Sequence, residues 1–434
     1  MSPVLTGLFG IIAFFILLFL RMPIAFAMAM VGFLGLCLLL SPDAAYNVVS
    51  TAIYENFSDY TLGVVPMFIL MGYFAFNSGI GTRLYDFAYK LVGHMPGGLA
   101  VATQVTSGLF GAVSGSNTAT AATIGSISIP EMRKYKYDAS LATGSVAAGG
   151  ALGIIIPPSV VFILYGVATE QSIGALFAAG IIPGILLMLL YILTILFLVY
   201  RNSDLGPKGP KSTWKERFTA LRGGLIEVII IFLFALGGLY IGWFTPTEAG
   251  AVGAFAVLVV SLVQGKLNWE KIKKSLLETT RTTAMIMFLL VGAVIFGRFM
   301  AVSQIPTELA NWSGNLPLPT YAVLAVILVI YLILGFFIEA LALILLTIPV
   351  FYPVILSLGY DPIWFGVIIV LVVAAGVITP PVGVNVFIIK GVAKDIPLET
   401  IFKGIWPFLF ALIICIMILI VFPQLVLFLP NLIG

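Results

Sequence analysis

Polar positions in this chain are confined to short interruptions between long apolar runs. Apolar stretches long enough to cross a bilayer fall at residues 3–20, 22–40, 61–79, 139–167 and 174–200, and again at 222–243, 247–264, 283–302, 362–389 and 404–429. A spanning helix needs about 20 such residues. Two further apolar regions, 98–130 and 319–356, carry polar tips at 114–118 and near 335–340. Backbone that leaves the helix at membrane depth survives only where protein or a water-filled cavity covers it. Each region is therefore predicted to be a re-entrant helical hairpin that enters and leaves on one face. Segments 43–59 and 266–281 are too polar to span and are predicted to lie along the interfaces as amphipathic helices, with shorter versions at 82–93 and 306–313. The pattern predicts an all-α polytopic membrane protein with about ten full spans plus the two hairpins.

The two halves repeat. Arg21-Met-Pro23 has a counterpart in Thr245-Pro246, and Met67-Phe-Ile-Leu-Met-Gly72 recurs as Met287-Phe-Leu-Leu-Val-Gly292. Gly153-Ile-Ile-Ile-Pro157-Pro158 recurs as Gly376-Val-Ile-Thr-Pro380-Pro381, Gly166-Val-Ala168 as Gly391-Val-Ala393, and the Gly180 and Pro183 pair as Gly404 and Pro407. Charge then relates the halves, because cations in short loops stay on the cytoplasmic side. Loop 41–60 has Asp43, Glu55 and Asp59 and no Lys or Arg, whereas its counterpart 265–281 has Lys266, Lys271, Lys273, Lys274 and Arg281. Arg133, Lys134 and Lys136 follow the first hairpin; only Asp361 follows the second. Glu170 stands alone after the first Pro-Pro helix, but Lys390, Lys394 and Lys403 follow the second. Each equivalent loop changes sign, so the topology is expected to be inverted, with 1–200 one repeat, 201–221 a cytoplasmic linker and 222–434 the other. Both termini then lie outside, and Arg298 is the one cation off the cytoplasmic side.

Composition narrows the class. Hydrophobic residues make up 61% of the 434 and charged ones only 9%, which leaves no room for a separate soluble domain. Cys37 and Cys415 both fall in apolar spans and read as packing, not as a disulfide or metal pair. Run 4–20 lacks a basic leader and a small-residue cleavage site, so it is expected to be a retained helix. The net charge of +3 carries no nucleic-acid signature. There is no phosphate-binding G-x-x-x-x-G-K-[ST] motif, so energy must come from an ion gradient or another subunit. The single histidine, His94, sits in a loop, and no serine is paired with a base, which argues against an enzyme.

The candidate chemistry sits at the interruptions. Ser114, Gly115, Ser116, Asn117 and Thr118 crowd the first hairpin tip. Hydroxyls, an amide carbonyl and freed backbone carbonyls suit a hard cation such as Na+ without adding charge. Pro157-Pro158 must break its helix, as must Pro380-Pro381 in the repeat. By symmetry each tip faces one break, giving two expected Na+ sites. The first comprises Ser114, Gly115, Ser116, Asn117, Gly153 and Pro157. The second comprises Gly335, Glu339, Gly376, Thr379, Pro380 and Asn385. An ionisable residue such as Glu339 within the membrane is a functional candidate by default; it could ligate Na+, carry a proton or pair with a cation. Glu227 and Glu248 lie nearer span ends and read as structural. Arg298, Ser159 and Thr118 are the candidates for an anionic substrate, Arg298 because a guanidinium forks onto a carboxylate. Pairing with an internal acid and snorkelling to the outer face remain open for it.

These features resemble the large membrane subunit of TRAP (tripartite ATP-independent periplasmic) transporters. The resemblance rests on Gly111-Ala-Val-Ser-Gly-Ser116, Ile129-Pro130-Glu-Met132 and the two Pro-Pro breaks, and it covers essentially the whole chain. It implies uptake of an organic acid driven by two or more Na+ ions, with no organic cofactor, in a bacterial inner membrane. It implies two protein partners besides the lipid bilayer: a periplasmic substrate-binding (P) protein and a small four-helix membrane (Q) subunit. The Q subunit is expected as a separate polypeptide because the chain begins directly with the large subunit. Family substrates are mostly carboxylates such as C4-dicarboxylates and sialic acid, and the general look of the chain leans to sialic acid. An elevator-type mechanism is expected, with hairpins and broken helices moving against a static scaffold. The alternatives are a stand-alone Na+/dicarboxylate symporter and a channel or non-transporting subunit of a membrane complex.

Overall fold

A computed structural model describes residues 2–315 and 317–433; positions 1 and 434, where the two expected repeats begin and end, lie outside the described residues. It is an all-α membrane protein with no strand among the described residues. Among the described residues, seven helices are long and apolar enough to cross a membrane: Tyr60–Ser78, Ile173–Arg201, Trp214–Tyr240, Pro246–Val263, Trp269–Ser303, Ala340–Ser357 and Leu398–Val421. Predicted spans 3–20 and 22–40 are the shorter apolar helices Pro3–Phe19 and Ile24–Leu39. Spans 139–167 and 362–389 are each two half-helices, Ala139–Leu152 with Val160–Thr169 and Pro362–Gly376 with Val384–Val392. Large side chains are turned outward in helical register, as Leu189, Leu193 and Phe197 are on Ile173–Arg201. A water-soluble surface does not look like this; lipid accepts it.

The order of elements in the second half repeats that of the first. The first hairpin is Gly98–Ser114 and Asn117–Lys134; the second is Thr320–Gly335 and Ala340–Ser357. Ile80–Val92 precedes the one and Ile305–Asn315 the other, close to the expected interfacial segments. Three expectations are corrected. Segments 266–281 and 283–302 are not two helices but one, Trp269–Ser303. In the first half Asp59 caps a 3-10 turn, Tyr60–Gly63, that separates Pro42–Ser58 from Val64–Ser78. The equivalent stretch around Glu278–Thr282 has neither glycine nor proline, so nothing stops the helix. Span 404–429 ends early, at Val421, because Pro423 forces a break before Gln424–Ile433. The 201–221 linker is partly helical: Thr213 and Glu216 form a capping box that starts a helix at Trp214.

The halves interlock through glycines. A Cβ at Gly32 would stand 2.9 Å from the Ile295 backbone, and one at Gly292 would strike the Ala25 carbonyl, so Ile24–Leu39 and Trp269–Ser303 cross nearly in backbone contact. Pro246–Val263 meets Val64–Ser78 in the same way, with Gly250 against Met67 and Gly253 against Met71. Without a hydrophobic drive between helices in lipid, close small-residue packing is what holds them. Glu227 and Glu248 are structural. Buried Glu227 accepts from Arg83 at 2.6 Å and from Gln264 at 2.7 Å, tying Ile80–Val92 to the second half. Glu248 caps its own helix with Thr245.

The tightest crossing joins Gly144 and Gly404: a Cβ at either would collide with the opposing backbone. Gly144→Val should lower stability by about 1–3 kcal/mol, read as a lower midpoint of thermal unfolding in detergent. Gly391→Ala, where nothing lies within 4 Å, should leave the midpoint near wild type. Equal midpoints for both would contradict the packing.

Candidate functional site

The first hairpin turns at Gly115-Ser116. Gly115 takes a left-handed φ of 61°, which glycine alone adopts freely, and its N–H donates to Gly111 O at 2.9 Å, closing the first arm. Ser116 caps the second arm by accepting from the Ala119 N–H at 3.3 Å. The tip hydroxyls pair among themselves, Ser114 with Thr120 at 2.9 Å and Ser116 with Thr118 at 3.0 Å.

Facing this tip is the break between Leu152 and Val160, which contains a cis Pro157–Pro158 bond. The fully buried Ser159 restarts the helix as its cap and donates its hydroxyl to Ile154 O at 2.7 Å. Tip and break touch. The Val160 N–H donates to Gly115 O at 3.4 Å. A Cβ at Gly115 would sit 2.7 Å from Pro158 O, and one at Gly153 would sit 2.5 Å from Thr120 Oγ1 and 2.6 Å from Ser116 O. This junction is rich in neutral oxygens and admits only glycine at its closest points.

The second tip meets the second break through two more glycines, since a Cβ at Gly376 would lie 2.8 Å from Gly335 Cα. Glu339 caps Ala340–Ser357, its carboxylate accepting from the Leu341 N–H at 3.2 Å. The Thr379 hydroxyl donates to Ala375 O at 2.6 Å, just before the cis Pro380–Pro381 bond. Asn385 departs from its expected place. Its side chain lies on the first junction, accepting from Asn117 Nδ2 at 3.2 Å and donating to Ala147 O at 3.1 Å. The cause is a crossing of the half-helices: Val384–Val392 packs on the first hairpin's arm Asn117–Lys134, and Val160–Thr169 packs on the second hairpin's arm Ala340–Ser357.

Both tips open on one cavity of about 480 Å³. Ser114–Ala119 and Val160 line one side, Glu339 and Leu341 another. The opposing wall comes from Val64–Ser78 and Trp269–Ser303, through Ile69, Tyr73, Phe76, Thr282 and Met285. Of the expected substrate residues, Thr118 lines the cavity while Ser159 is packed behind it. Arg298 is exposed and outside the lining, because its helix turns Ile295, Phe296 and Phe299 inward against neighbouring helices. Sequence reasoning missed the opposing wall, where the Tyr73 and Thr282 hydroxyls pair at 2.9 Å. Its only signal is helical spacing on two apolar spans.

Interrupted helices around an internal cavity, in a chain of stacked membrane spans, define a membrane transporter. The chain belongs to the family described as Tripartite ATP-independent periplasmic transporter, DctM component, whose model matches residues 11–425. It is 38% identical over 398 residues to the C4-dicarboxylate TRAP transporter large permease protein DctM of Pseudomonas aeruginosa, covering 92% of each chain. It is 35% identical over 417 residues to the Sialic acid TRAP transporter large permease protein SiaM of Vibrio cholerae, covering 96% of each. In fold it is similar to the YdaH transporter of Alcanivorax borkumensis, with a TM-score of 0.67 at 18% identity over 89% of this chain and 91% of that one.

The buried Asn117–Asn385 pair joins residues of both halves, and a lone buried amide loses its partner. Asn117→Ala and Asn385→Ala should each lower the unfolding midpoint, and the double variant should lose less than the sum by about 1 kcal/mol. Strict additivity in that cycle would mean the two side chains do not act together.

Proposed function

We propose that this chain is the large permease subunit of a Na+-coupled secondary transporter that takes up an organic acid handed over by a periplasmic binding protein. The observation that carries the reading is the pair of tip-on-break junctions opening on a single cavity. The first junction offers hydroxyl and carbonyl oxygens from Ser114, Ser116, Asn117 and Gly153, and the second adds the Glu339 carboxylate and Thr379. Each suits a Na+ ion, giving two or more per cycle. The acid binds between the tips and the wall that carries Tyr73 and Thr282. A cation at the first junction fixes the tip that also borders the acid, so ion and acid each raise the other's affinity. The tips and broken helices move as one unit against the interlocked Ile24–Leu39, Val64–Ser78, Pro246–Val263 and Trp269–Ser303, in an elevator step. A small four-helix subunit joins this scaffold. The cationic loops favour a 201–221 linker on the cytoplasmic side and both termini on the periplasmic side of an inner membrane. A single substrate is not assigned by the relatives, whose names give a C4-dicarboxylate in one case and sialic acid in another.

The test is uptake into proteoliposomes holding the chain and its small subunit, with a candidate binding protein and no ATP, under an inward Na+ or an equal K+ gradient. Uptake is expected only with Na+ and only with the binding protein. Uptake without the binding protein would favour a stand-alone symporter, and flux under K+ would contradict Na+ coupling. Ser114→Ala with Ser116→Ala should raise the half-saturating Na+ concentration about tenfold, as expected for about 1.4 kcal/mol of lost ligation. An unchanged Na+ dependence would remove the first junction from the ion path.

A further inference from the structure

One side of the helix Trp214–Tyr240 presents an exposed stripe at steps of four residues: Trp214, Phe218, Arg222, Ile226, Ile230 and Phe234. Each such step overruns a 3.6-residue turn by about 40°, so a plain α-helix would carry the stripe to its opposite face within five steps. Two wider π-helical turns, Leu221–Leu225 and Leu233–Gly237, take up part of this drift. The other side is buried: a Cβ at Gly224 would stand 2.7 Å from the Arg83 carbonyl, and Glu227 holds the Arg83 guanidinium. The stripe changes character along its length. Ile226, Ile230 and Phe234 form its apolar part, within the span. Toward the linker the rings of Trp214 and Phe218, 73% and 64% exposed, stand among the exposed Lys211, Lys215 and Arg222. The geometry points to a binding site for an anionic phospholipid, its chains along the apolar part of the stripe and its phosphate among these three cations. The inference goes beyond the transport function and requires only that this helix crosses the bilayer.

Charge commits the face to this occupant. Over 205–222 the cations Lys208, Lys211, Lys215, Arg217 and Arg222 stand against a single acid, Glu216. Glu216 is already engaged, accepting from the Thr213 N–H at 2.7 Å and from its hydroxyl at 2.9 Å. It also lies two residues beyond Trp214, on the far side of the helix from the stripe. This capping box occupies the helix start, so the anion is held by side chains and not by the helix terminus. The Arg217 guanidinium stacks over the Trp214 ring at 5.1 Å, which steadies the indole. Aromatic rings settle at headgroup level, and long cationic side chains reach phosphates from an apolar surface. Clustered Lys and Arg beside a membrane span favour anionic headgroups. A zwitterionic lipid offers the same phosphate but adds an ammonium that these cations repel. An acidic protein segment would answer the cations and leave the apolar part of the stripe unmatched.

The test reads lipid contact at Trp214. The chain with its small subunit is placed in phosphatidylcholine nanodiscs doped with a lipid brominated near the carbonyl end of its chains, either phosphatidylglycerol or phosphatidylcholine. Fluorescence of each protein minus that of its own Trp214→Phe reference isolates this indole among the six tryptophans. Half-maximal quenching is expected at a mole fraction of brominated phosphatidylglycerol at least about tenfold below that of brominated phosphatidylcholine, with the gap narrowing in about 1 M salt. Lys211→Ala with Lys215→Ala and Arg222→Ala, all at exposed positions, should bring the two lipids to within about twofold. Lys271→Ala with Lys273→Ala and Lys274→Ala, an equal loss of charge on the helix Trp269–Ser303, should leave the preference intact. Equal quenching by the two lipids in the wild type would overturn the inference, as would a preference that survives removal of Lys211, Lys215 and Arg222. The same loss in both triple variants would overturn it by assigning the preference to surface charge at large. No quenching by either lipid would overturn it too, by showing that the small subunit covers the face.

Discussion

A helix that stops in the middle of a bilayer leaves N–H and C=O groups with no water to satisfy them, and everything at the centre of this protein follows from how they are covered. Each interrupted segment is covered by another interrupted segment. The first tip lies on the first Pro-Pro break and the second tip on the second, so close that a Cβ at Gly115, Gly153 or Gly376 would collide with the opposing segment and one at Gly335 would be tight against Gly376. Such contact brings loose carbonyls, cap hydroxyls and helix ends to one depth. It also leaves backbone oxygens at the tips and breaks outside regular helices.

The rest of the fold holds these junctions in place without filling them. Two crossed pairs of spans, sealed by Gly32 and Gly292 on one side and by Gly250 and Gly253 on the other, form the wall opposite the tips. Behind the tips, the half-helices exchange partners, so that each broken helix touches its own hairpin with its first half and the other hairpin with its second. Asn385 sits on that exchange. Through Asn117 and the Ala147 carbonyl it joins one half's tip and helix to the other half's break. A change at one junction has a short, fully buried path to the next.

Much of this was legible in the residues. Ser114–Thr118 and the duplicated Gly-x-x-x-Pro-Pro segments marked both tips and both breaks, because proline and clustered polar residues have few reasons to occur in lipid. What stayed hidden depends on three-dimensional register. Arg298 looked like an anion clamp, but its helical face is fixed by Phe299 packing among Gly10 and Gly35, which turns the guanidinium away. Asn385 was grouped with the break that precedes it, since nothing in the chain reveals that its half-helix crosses to the other repeat. The seam between 281 and 283 carries polarity change without a breaker, so Trp269–Ser303 runs through it. The cavity wall with Tyr73 and Thr282 is apolar span by composition and becomes a site only by facing the tips.

The central claim is that a cation at the first junction and an acid in the cavity stabilise the same arrangement of the tip. Linkage requires the effect to be reciprocal. The most direct measurement is a pair of equilibrium titrations on the chain with its small subunit: acid affinity with and without saturating Na+, and Na+ affinity with and without saturating acid. The account predicts that the two ratios are equal and above one, and that Gly115→Ala, which pushes the tip off Pro158, brings both towards one. Acid binding indifferent to Na+ in the wild-type protein would contradict it.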